Sequence, residues 1–349
     1  MKKNIFYISL LIIIMLSNCQ VFLGPDPDDS SMGIFNSIWN DFNESYALFE
    51  HKGINWQEKY NIYAPQISSG KPLFDVCFEM LMELNDAHVC INNVFPSNYY
   101  WDTSLSSYVL KDEEPFSRDA LSNYFDKLIP SFIGSSGFLY GTFSSRPDIG
   151  YIYIPDFNET SGVLFGTGDW AKELDNILSF LSNTNAIILD VRNNGGGFHS
   201  NLHHIAGRFL SNQADYIKVQ SKNGTGQNDF SSSMTFTVKP DGTRYTKPIV
   251  LITNKQTTSA AEWFVIALLT QNHVTHIGGI TNGAFSARMI RPLINGWFYT
   301  ISIQKITDMN GNCYEGIGLT PEYIVNNTLS ELETGKDNQL EYALDLLIN

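Results

Sequence analysis

The chain has 349 residues, with 36 acidic and 22 basic residues and a formal net charge of −14. This length exceeds one average domain, can bury a sizeable core, and predicts one large or two unequal domains. The acidic balance disfavours nucleic acid as a partner, because phosphates are bound by clustered lysine and arginine.

The first eighteen residues have the pattern of a signal peptide. Lys2 and Lys3 precede an apolar run over residues 5–16, which is typical of a secretory leader and not of a membrane span. Loss of this leader removes both lysines and leaves a formal net charge of −16. Residues 19–32 are rich in proline, aspartate and serine, which predicts a solvated tether.

Residues 16–19 (Leu-Ser-Asn-Cys) resemble a bacterial lipobox. The resemblance implies cleavage before Cys19 and a lipid on its thiol. The protein would then be anchored in the cell envelope outside the cytoplasm, at the periplasmic face or at the outer-membrane surface. Asn18 stands where a small residue is usual, and the alternative is ordinary signal cleavage that gives a soluble periplasmic form.

The other cysteines are Cys77, Cys90 and Cys313, and no C-x-x-C spacing occurs. An odd number without that spacing indicates neither a disulfide scaffold nor a zinc site. One Cys77–Cys90 bond can form in an oxidising compartment, and buried free thiols are the favoured alternative.

Two amphipathic helices are predicted within residues 33–92, which we interpret as an N-terminal helical domain. Apolar residues recur at three-to-four spacing over residues 34–49 and 73–84, which places them on one face of each helix. Residues 93–148 contain scattered aromatics and prolines with weak periodicity. We assign them only as a connecting segment.

Strands and helices alternate over residues 149–349, which we interpret as the second domain. This mixture predicts an α/β sheet covered by helices. Strands are predicted at 151–154, 187–189, 216–219, 234–238 and 249–252, with short ones through Ile277, Met289 and 297–303, and helices at 170–181, 202–210 and 260–269.

One strand ends in a loop of three consecutive glycines, at residues 195–197. Glycines allow positive φ and bring bare N–H groups against a ligand or a reacting oxyanion. The loop does not match a nucleotide-binding fingerprint, because Ser200 stands at the third glycine position and no P-loop lysine follows. The alternative is a flexible connection from strand to helix.

A second junction leads from a strand into a helix at Ser259. There the positive end of the helix dipole and the free N–H of Ala260 can stabilise a tetrahedral oxyanion. Ser-Ala-Ala-Glu is also a capping box, with Ser259 as N-cap and Glu262 reaching back. Both interpretations hold only if the Ser259 hydroxyl can point into a cleft.

A serine nucleophile needs a base, and the base needs an orienting partner. His88 is the leading candidate because it follows a predicted helix at a loop start. The alternative is that Asp86 and His88 are a solvated helix end. His199 lies near the glycines and is a minor candidate. His203 and His204 are interpreted as lying on a helix that covers the sheet, and His273 and His276 as structural or exposed. No metal-binding spacing such as H-E-x-x-H occurs.

Five segments together resemble the C-terminal processing peptidase and tricorn-core family of serine peptidases. They occur in the family's order and span most of the chain after the tether. They are Leu-Asn-Asp-Ala-His (84–88), Leu-Asp-Val-Arg-Asn-Asn-Gly-Gly-Gly (189–197), Thr-Ser-Ala-Ala-Glu (258–262), Gly-Gly-Ile-Thr-Asn-Gly (278–283) and Glu-Gly-Ile-Gly-Leu-Thr-Pro-Glu (315–322).

The resemblance implies that Ser259 is the nucleophile, with the N–H groups of Ala260 and Gly196 as the oxyanion hole. Many members use a lysine base after the Gly-x-x-Thr-x-Gly turn, but residues 283–287 contain none. The tricorn-like branch uses a histidine and a glutamate, which map to His88 as general base and Glu315 as orienting carboxylate.

Two positions depart from the family pattern. Glu322 stands where aspartate is usual, and Ala87 replaces the polar residue of tricorn itself, which puts a fourth site member in doubt. The stretch between His88 and Ile149 is too short for the PDZ domain of many members, which we therefore expect to be absent. Substrate choice would come from the cleft, with the aromatics of residues 95–101 contributing or packing between domains.

The predicted fold is a small N-terminal helical domain followed by a Clp-protease/crotonase-like α/β (α+β) catalytic domain, with the cleft between them. The predicted activity is endopeptidase hydrolysis of a peptide or unfolded protein through an acyl-enzyme on Ser259. No metal or cofactor is expected, and the oligomeric state is not indicated. The alternatives are an inactive lipoprotein of this fold that binds peptides or apolar ligands, and an acyl-CoA enzyme of the crotonase type.

Overall fold

The computed structural model describes residues 28–92, 114–131, 137–158 and 173–348. The predicted signal peptide, Cys19 and the aromatic segment 95–101 lie outside the described residues. In the described part of the chain, no helix has both the length and the apolar character needed to cross a membrane.

Helices and strands are numbered here in chain order. The helices are α1 (Ser31–Ser45), α2 (Phe49–Lys52), α3 (Trp56–Ser68), α4 (Leu73–Met82), α5 (Arg118–Leu121), α6 (Leu174–Phe180), α7 (His199–Gly207), α8 (Ala260–Leu269), α9 (Leu329–Glu333) and α10 (Asn338–Leu346). The strands are β1 (Cys90–Asn92), β2 (Ile129–Pro130), β3 (Leu139–Thr142), β4 (Ile149–Tyr153), β5 (Ala186–Asp190), β6 (Ala214–Ser221), β7 (Met234–Val238), β8 (Ile249–Thr253), β9 (Val274–Gly278), β10 (Arg288–Pro292), β11 (Phe298–Ser302), β12 (Gln304–Asp308) and β13 (Tyr323–Ile324).

The N-terminal helices pack around one aromatic core. The two helices predicted from apolar spacing correspond to α1 and α4. Helix α3 was not predicted, because its sequence is largely polar, contains Pro65 and buries only Trp56, Tyr63 and Ala64. Phe42 packs against Trp56 at a ring-centroid distance of 5.6 Å, which joins α1 to α3.

This helical core packs against a small antiparallel sheet, in which two of the three strands come from the second half of the chain. The sheet has the order β1-β11-β10, and Tyr299 and Ile301 of β11 are buried among the helices. Strand β1 follows His88 directly and pairs Cys90 with Thr300. The loop that carries His88 is therefore attached to the catalytic part of the chain.

The central sheet has seven strands in the order β13-β9-β8-β5-β4-β3-β2, and a separate sheet has the order β12-β6-β7. Strands β4, β5, β8, β9 and β13 run parallel to one another. Strand β3 pairs antiparallel with β4, and β2 pairs antiparallel with β3. Residues from α6, α7 and α8 pack on one face, and residues from α5 and α10 pack on the other. The predicted α/β fold is confirmed, and the sheet begins within the segment 93–148 that the sequence left unassigned.

The parallel pair β5 and β8 places the two predicted junctions side by side. Asp190 at the end of β5 is paired with Ile252 near the end of β8. Because parallel strands end at the same edge of a sheet, the glycine loop and the loop before α8 leave the sheet together. The strict domain boundaries proposed from the sequence stay predictions.

Candidate active site

The glycine loop lies directly against the start of α8. Ser259 precedes this helix with φ 60°, a backbone region that residues with a side chain seldom adopt. Gly196 has φ 89°, and a Cβ added there would stand 2.8 Å from both Ser259 Cβ and Ala260 N. Only glycine fits this approach, so the structure brings Gly196, Ser259 and Ala260 together.

The N–H groups of this region have different partners. Gly196 N–H donates to Asn194 Oδ1 at 2.9 Å, and Gly196 O accepts from Phe157 N–H at 2.7 Å. The Ala260 N–H has no acceptor among the residues that the structure describes. Ala260 thus offers a donor beside Ser259, while the Gly196 donor is directed to the Asn194 side chain. The assignment of Gly196 to an oxyanion hole stays a prediction.

Glu262 connects the start of α8 to a neighbouring loop. Its Oε2 accepts from Ser259 N–H at 3.1 Å. This is the hydrogen bond that the predicted capping box requires of the Glu262 side chain. The same carboxylate accepts from the N–H groups of Gly283 and Ala284 at 2.7 and 2.9 Å, and from the Thr281 hydroxyl at 2.6 Å. Burial raises the pKa of Glu262 to about 7, and these hydrogen bonds oppose the rise.

Glu315 uses the next two N–H groups of that loop. Its Oε2 accepts from Phe285 N–H at 2.9 Å and from Ser286 N–H at 3.0 Å. Its Oε1 is buried and has no hydrogen-bond partner among the described residues. Burial, and next the charge of Asp86, raise the pKa of Glu315 well above its usual value. Glu315 is therefore a desolvated carboxyl group with one oxygen available.

His88 is buried beside the same loop, with only 6% of its surface exposed. Nδ1 of its ring has no hydrogen-bond partner in the described part of the chain, and the ring lies close to the backbone of Ser286. Burial lowers the pKa of His88 to about 4, although the Asp86 charge raises it. The imidazole is thus neutral at neutral pH, as a general base must be. A solvated helix end, the alternative for Asp86 and His88, is wrong because both side chains are buried.

Residues 283–286, which we call the hub, hold the site together. Their first two N–H groups donate to Glu262 and the next two donate to Glu315, and the Ser286 backbone lies close to the His88 ring. The structure therefore brings His88 and Glu315 to one backbone segment, and Ser259 joins it through Glu262. Among the described residues, no hydrogen bond links the His88 ring directly to Ser259 or Glu315.

Sequence reasoning missed a buried ionic cluster behind the glycine loop. The fully buried Arg192 guanidinium binds the Asp190 carboxylate, with Nε at 3.0 Å, and the Asp337 carboxylate, with Nη1 at 2.7 Å. Asp337 is the N-cap of α10. The signal available in the sequence was an arginine immediately after an apolar strand, since such a buried charge requires acidic partners.

The other predicted candidates have structural partners. His199 stacks on Trp263 with ring centroids 4.0 Å apart, and His276 Nε2 shares a hydrogen bond with the Thr253 hydroxyl at 2.8 Å. Cys77, Cys90 and Cys313 are free thiols, as favoured over a Cys77–Cys90 bond. The described residues contain no group of three or more His, Cys, Asp or Glu side chains placed to hold a metal ion.

Comparison with known proteins identifies the family of this site. The model of Peptidase family S41 matches residues 148–325, and the model of the Tricorn protease C1 domain matches residues 27–82. The chain belongs to Peptidase family S41. The prediction that the chain belongs to the C-terminal processing peptidase family is confirmed at this level.

Individual relatives give the extent of the similarity. The chain is 27% identical over 173 residues to carboxy-terminal processing protease CtpB of Bacillus subtilis, covering 50% of this chain and 33% of that protein. It is 28% identical over 192 residues to a carboxy-terminal-processing protease of Bartonella bacilliformis, covering 54% of this chain and 42% of that protein. The chain thus spans less than half the length of these curated relatives.

One solved structure is similar over nearly its whole length. It is described as a candidate peptidase from Parabacteroides merdae, is 26% identical, and superposes with a TM-score of 0.78 over 92% of this chain and 98% of that one. Its fold therefore includes both the helical region and the sheet.

Proposed function

We propose that this protein is a serine endopeptidase in which Ser259 is the nucleophile, His88 the general base and Glu315 the carboxylate that orients His88. The observation that supports this proposal is the hub. Its four N–H groups donate to the Glu315 carboxyl group and to Glu262, which accepts from Ser259 N–H, and its Ser286 backbone lies close to the buried His88 ring.

The chemistry follows from these positions. His88 takes the proton of the Ser259 hydroxyl as its oxygen attacks the peptide carbonyl, and Glu315 stabilises the imidazolium that forms. The Ala260 N–H and an N–H of the glycine loop stabilise the oxyanion. His88 then gives its proton to the leaving amine, and water hydrolyses the acyl-enzyme by the reverse use of the same base.

The substrate proposed is an extended peptide or an unfolded protein segment, since each step requires only a peptide carbonyl beside Ser259. We also propose that a lipid on Cys19 anchors the protein outside the cytoplasm, as the sequence of residues 1–19 implies. Mass spectrometry of the N-terminal peptide of the native protein tests that anchor, and an unmodified Cys19 contradicts it.

Replacement of the nucleophile tests the activity. Ser259→Ala is expected to lower the cleavage rate of a denatured protein by a factor of about 10⁴ or more, because the covalent step is lost. The exposed Ser330→Ala, on α9, is the matched control and should cleave at the wild-type rate. Equal cleavage by Ser259→Ala and wild type removes Ser259 from the mechanism.

A labelling experiment separates the enzyme from an inactive binding protein of the same fold. A fluorophosphonate probe should modify wild type on Ser259, with one adduct per chain, and leave Ser259→Ala unmodified. Peptide binding without any adduct, and without cleavage, favours the binding protein.

A further inference from the structure

A short stretch of the N-terminal region touches both loops that carry the proposed base and its carboxylate. The Tyr46 hydroxyl donates to Asp86 Oδ2 at 2.9 Å, and Lys52 Nζ donates to Asn85 O at 2.9 Å. His51 Nε2 donates to the backbone O of Glu315, also at 2.9 Å. We call Tyr46, His51 and Lys52 the clasp.

The clasp is itself firmly held. Tyr46 and Phe49 are buried and their rings pack 4.7 Å apart, and Phe49 packs on Trp56 at 5.2 Å. Ala47 N–H donates to Ser302 O at the end of β11. Helix α2 ends at Gly53, whose φ of 64° turns the chain away. The three side chains therefore project from a fixed base.

Both loops that the clasp contacts contain a residue with positive φ. Asn85, three residues before His88, has φ 45°, and Gly316, directly after Glu315, has φ 75°. A Cβ added at Gly316 would stand 3.2 Å from Lys52 Nζ. Lys52 thus lies between the loop of His88 and the loop of Glu315.

Lys52 also carries a positive charge near three buried acidic residues, Asp86, Glu262 and Glu315. Burial and the Asp86 charge raise the pKa of Glu315, the N–H of Phe285 and the charge of Lys52 lower it, and the charge of Glu262 raises it. Tyr46 faces the same group, because Asp86 and Glu315 both raise the pKa of its hydroxyl. Lys52 therefore opposes the repulsion among these carboxylates.

We propose that the clasp is a set of positioning residues that aligns the His88 and Glu315 loops, and that the positive charge of Lys52, which lies beside Gly316, favours the ionised form of Glu315 that the reaction uses. This inference rests on the proposed function, because it describes how the proposed base and carboxylate are held ready. Three Lys52 variants separate the hydrogen bond from the charge.

Lys52→Arg keeps the hydrogen-bond donor and the positive charge. Lys52→Gln keeps an N–H donor without the charge, and Lys52→Met removes the donor and the charge. The readout is the pH profile of kcat/KM on a quenched-fluorescence peptide. Loss of a nearby opposite charge typically moves a carboxyl pKa by about one unit or more. Since Glu315 acts when ionised, the acid limb should move upward by about one pH unit in Lys52→Gln and Lys52→Met, with roughly tenfold lower kcat/KM along that limb, and stay in place in Lys52→Arg.

The control is Lys247→Gln, a lysine that binds Ser182 O and Thr184 O at the opposite edge of the central sheet and should leave the profile unchanged. Acid limbs of Lys52→Gln and Lys52→Met that coincide with wild type overturn the inference, as does an equal loss of activity at every pH. Ser259→Ala is measured beside them. If Ser259→Ala is inactive and the Lys52 variants behave as wild type, only the clasp fails; if Ser259→Ala is active, the proposed function fails.

Discussion

Ser259 and the glycine loop stand at the ends of the adjacent parallel strands β8 and β5, whereas His88 and Glu315 stand in two loops contributed by distant parts of the chain. The region of Ser259 and Gly196, which we call the nucleophile side, depends on local backbone geometry, with φ values of 60° at Ser259 and 89° at Gly196. The region of His88 and Glu315, which we call the base side, depends on buried charges and on hydrogen bonds between distant parts of the chain. A change on the first side should therefore act through shape, and a change on the second through charge and pH.

After the loss expected for Ser259→Ala, the next largest effect is expected on the base side, at His88. His88→Gln removes the only group proposed to accept the Ser259 proton, so kcat should fall by about 10³, within the usual range for a general base. Steady-state kinetics on the fluorescent peptide measures it. His273→Gln is the control, because His273 is a structural histidine that binds Phe209 O. A loss of less than tenfold in His88→Gln makes His88 a structural residue as well.

A change of shape alone tests the nucleophile side. Gly196→Ala inserts a methyl group against Ser259 Cβ and Ala260 N, so kcat should fall by about 10² through displacement of the Ala260 donor. Gly311→Ala is a matched control, since Gly311 has a similar φ of 91° but open space around it. The acid limb of the pH profile should not move in Gly196→Ala. A shift of the acid limb in Gly196→Ala would show that the nucleophile side and the base side are not independent.

Glu262 joins the two sides, and its replacement should have the smallest effect on rate. Glu262→Gln turns one acceptor oxygen into an N–H donor that faces the N–H groups of the hub, so a loss of roughly tenfold in kcat and about 1–3 kcal/mol in unfolding free energy is expected. The exposed Glu333→Gln on α9 is the control. Wild-type stability in Glu262→Gln contradicts a role for this carboxylate in holding the hub.

The pH dependence of that stability loss has a definite sign. The pKa of Glu262 is raised to about 7 in the folded protein, so the folded state binds more protons than the unfolded state between the ordinary glutamate pKa of about 4.3 and pH 7. Its contribution to stability is complete at acid pH and is lost as pH rises to about 7. Chemical unfolding should show a larger difference between wild type and Glu262→Gln at pH 5 than at pH 8. An equal difference at both pH values contradicts the raised pKa.

Several parts of this molecule follow from residues that are close in sequence. Apolar spacing gave α1, α4, α8 and the buried strands β5 and β8, because helix and strand periods are local properties. The three glycines after β5 and the Ser-Ala-Ala-Glu start of α8 indicated the nucleophile side for the same reason, since positive φ and helix capping depend on a few neighbouring residues. The polar helix α3 lacked such a pattern.

Tertiary structure alone decided which distant residues share a contact. Sequence spacing does not show that Glu262 and Glu315 use four consecutive N–H groups, that Arg192 is paired with Asp337, or that Tyr46 and Lys52 hold the loop of His88. Nor does it show that Gly196 N–H donates to Asn194. Local dihedral preferences are encoded by adjacent residues, whereas burial, the resulting pKa shifts and the partners of buried charges depend on how the whole chain packs.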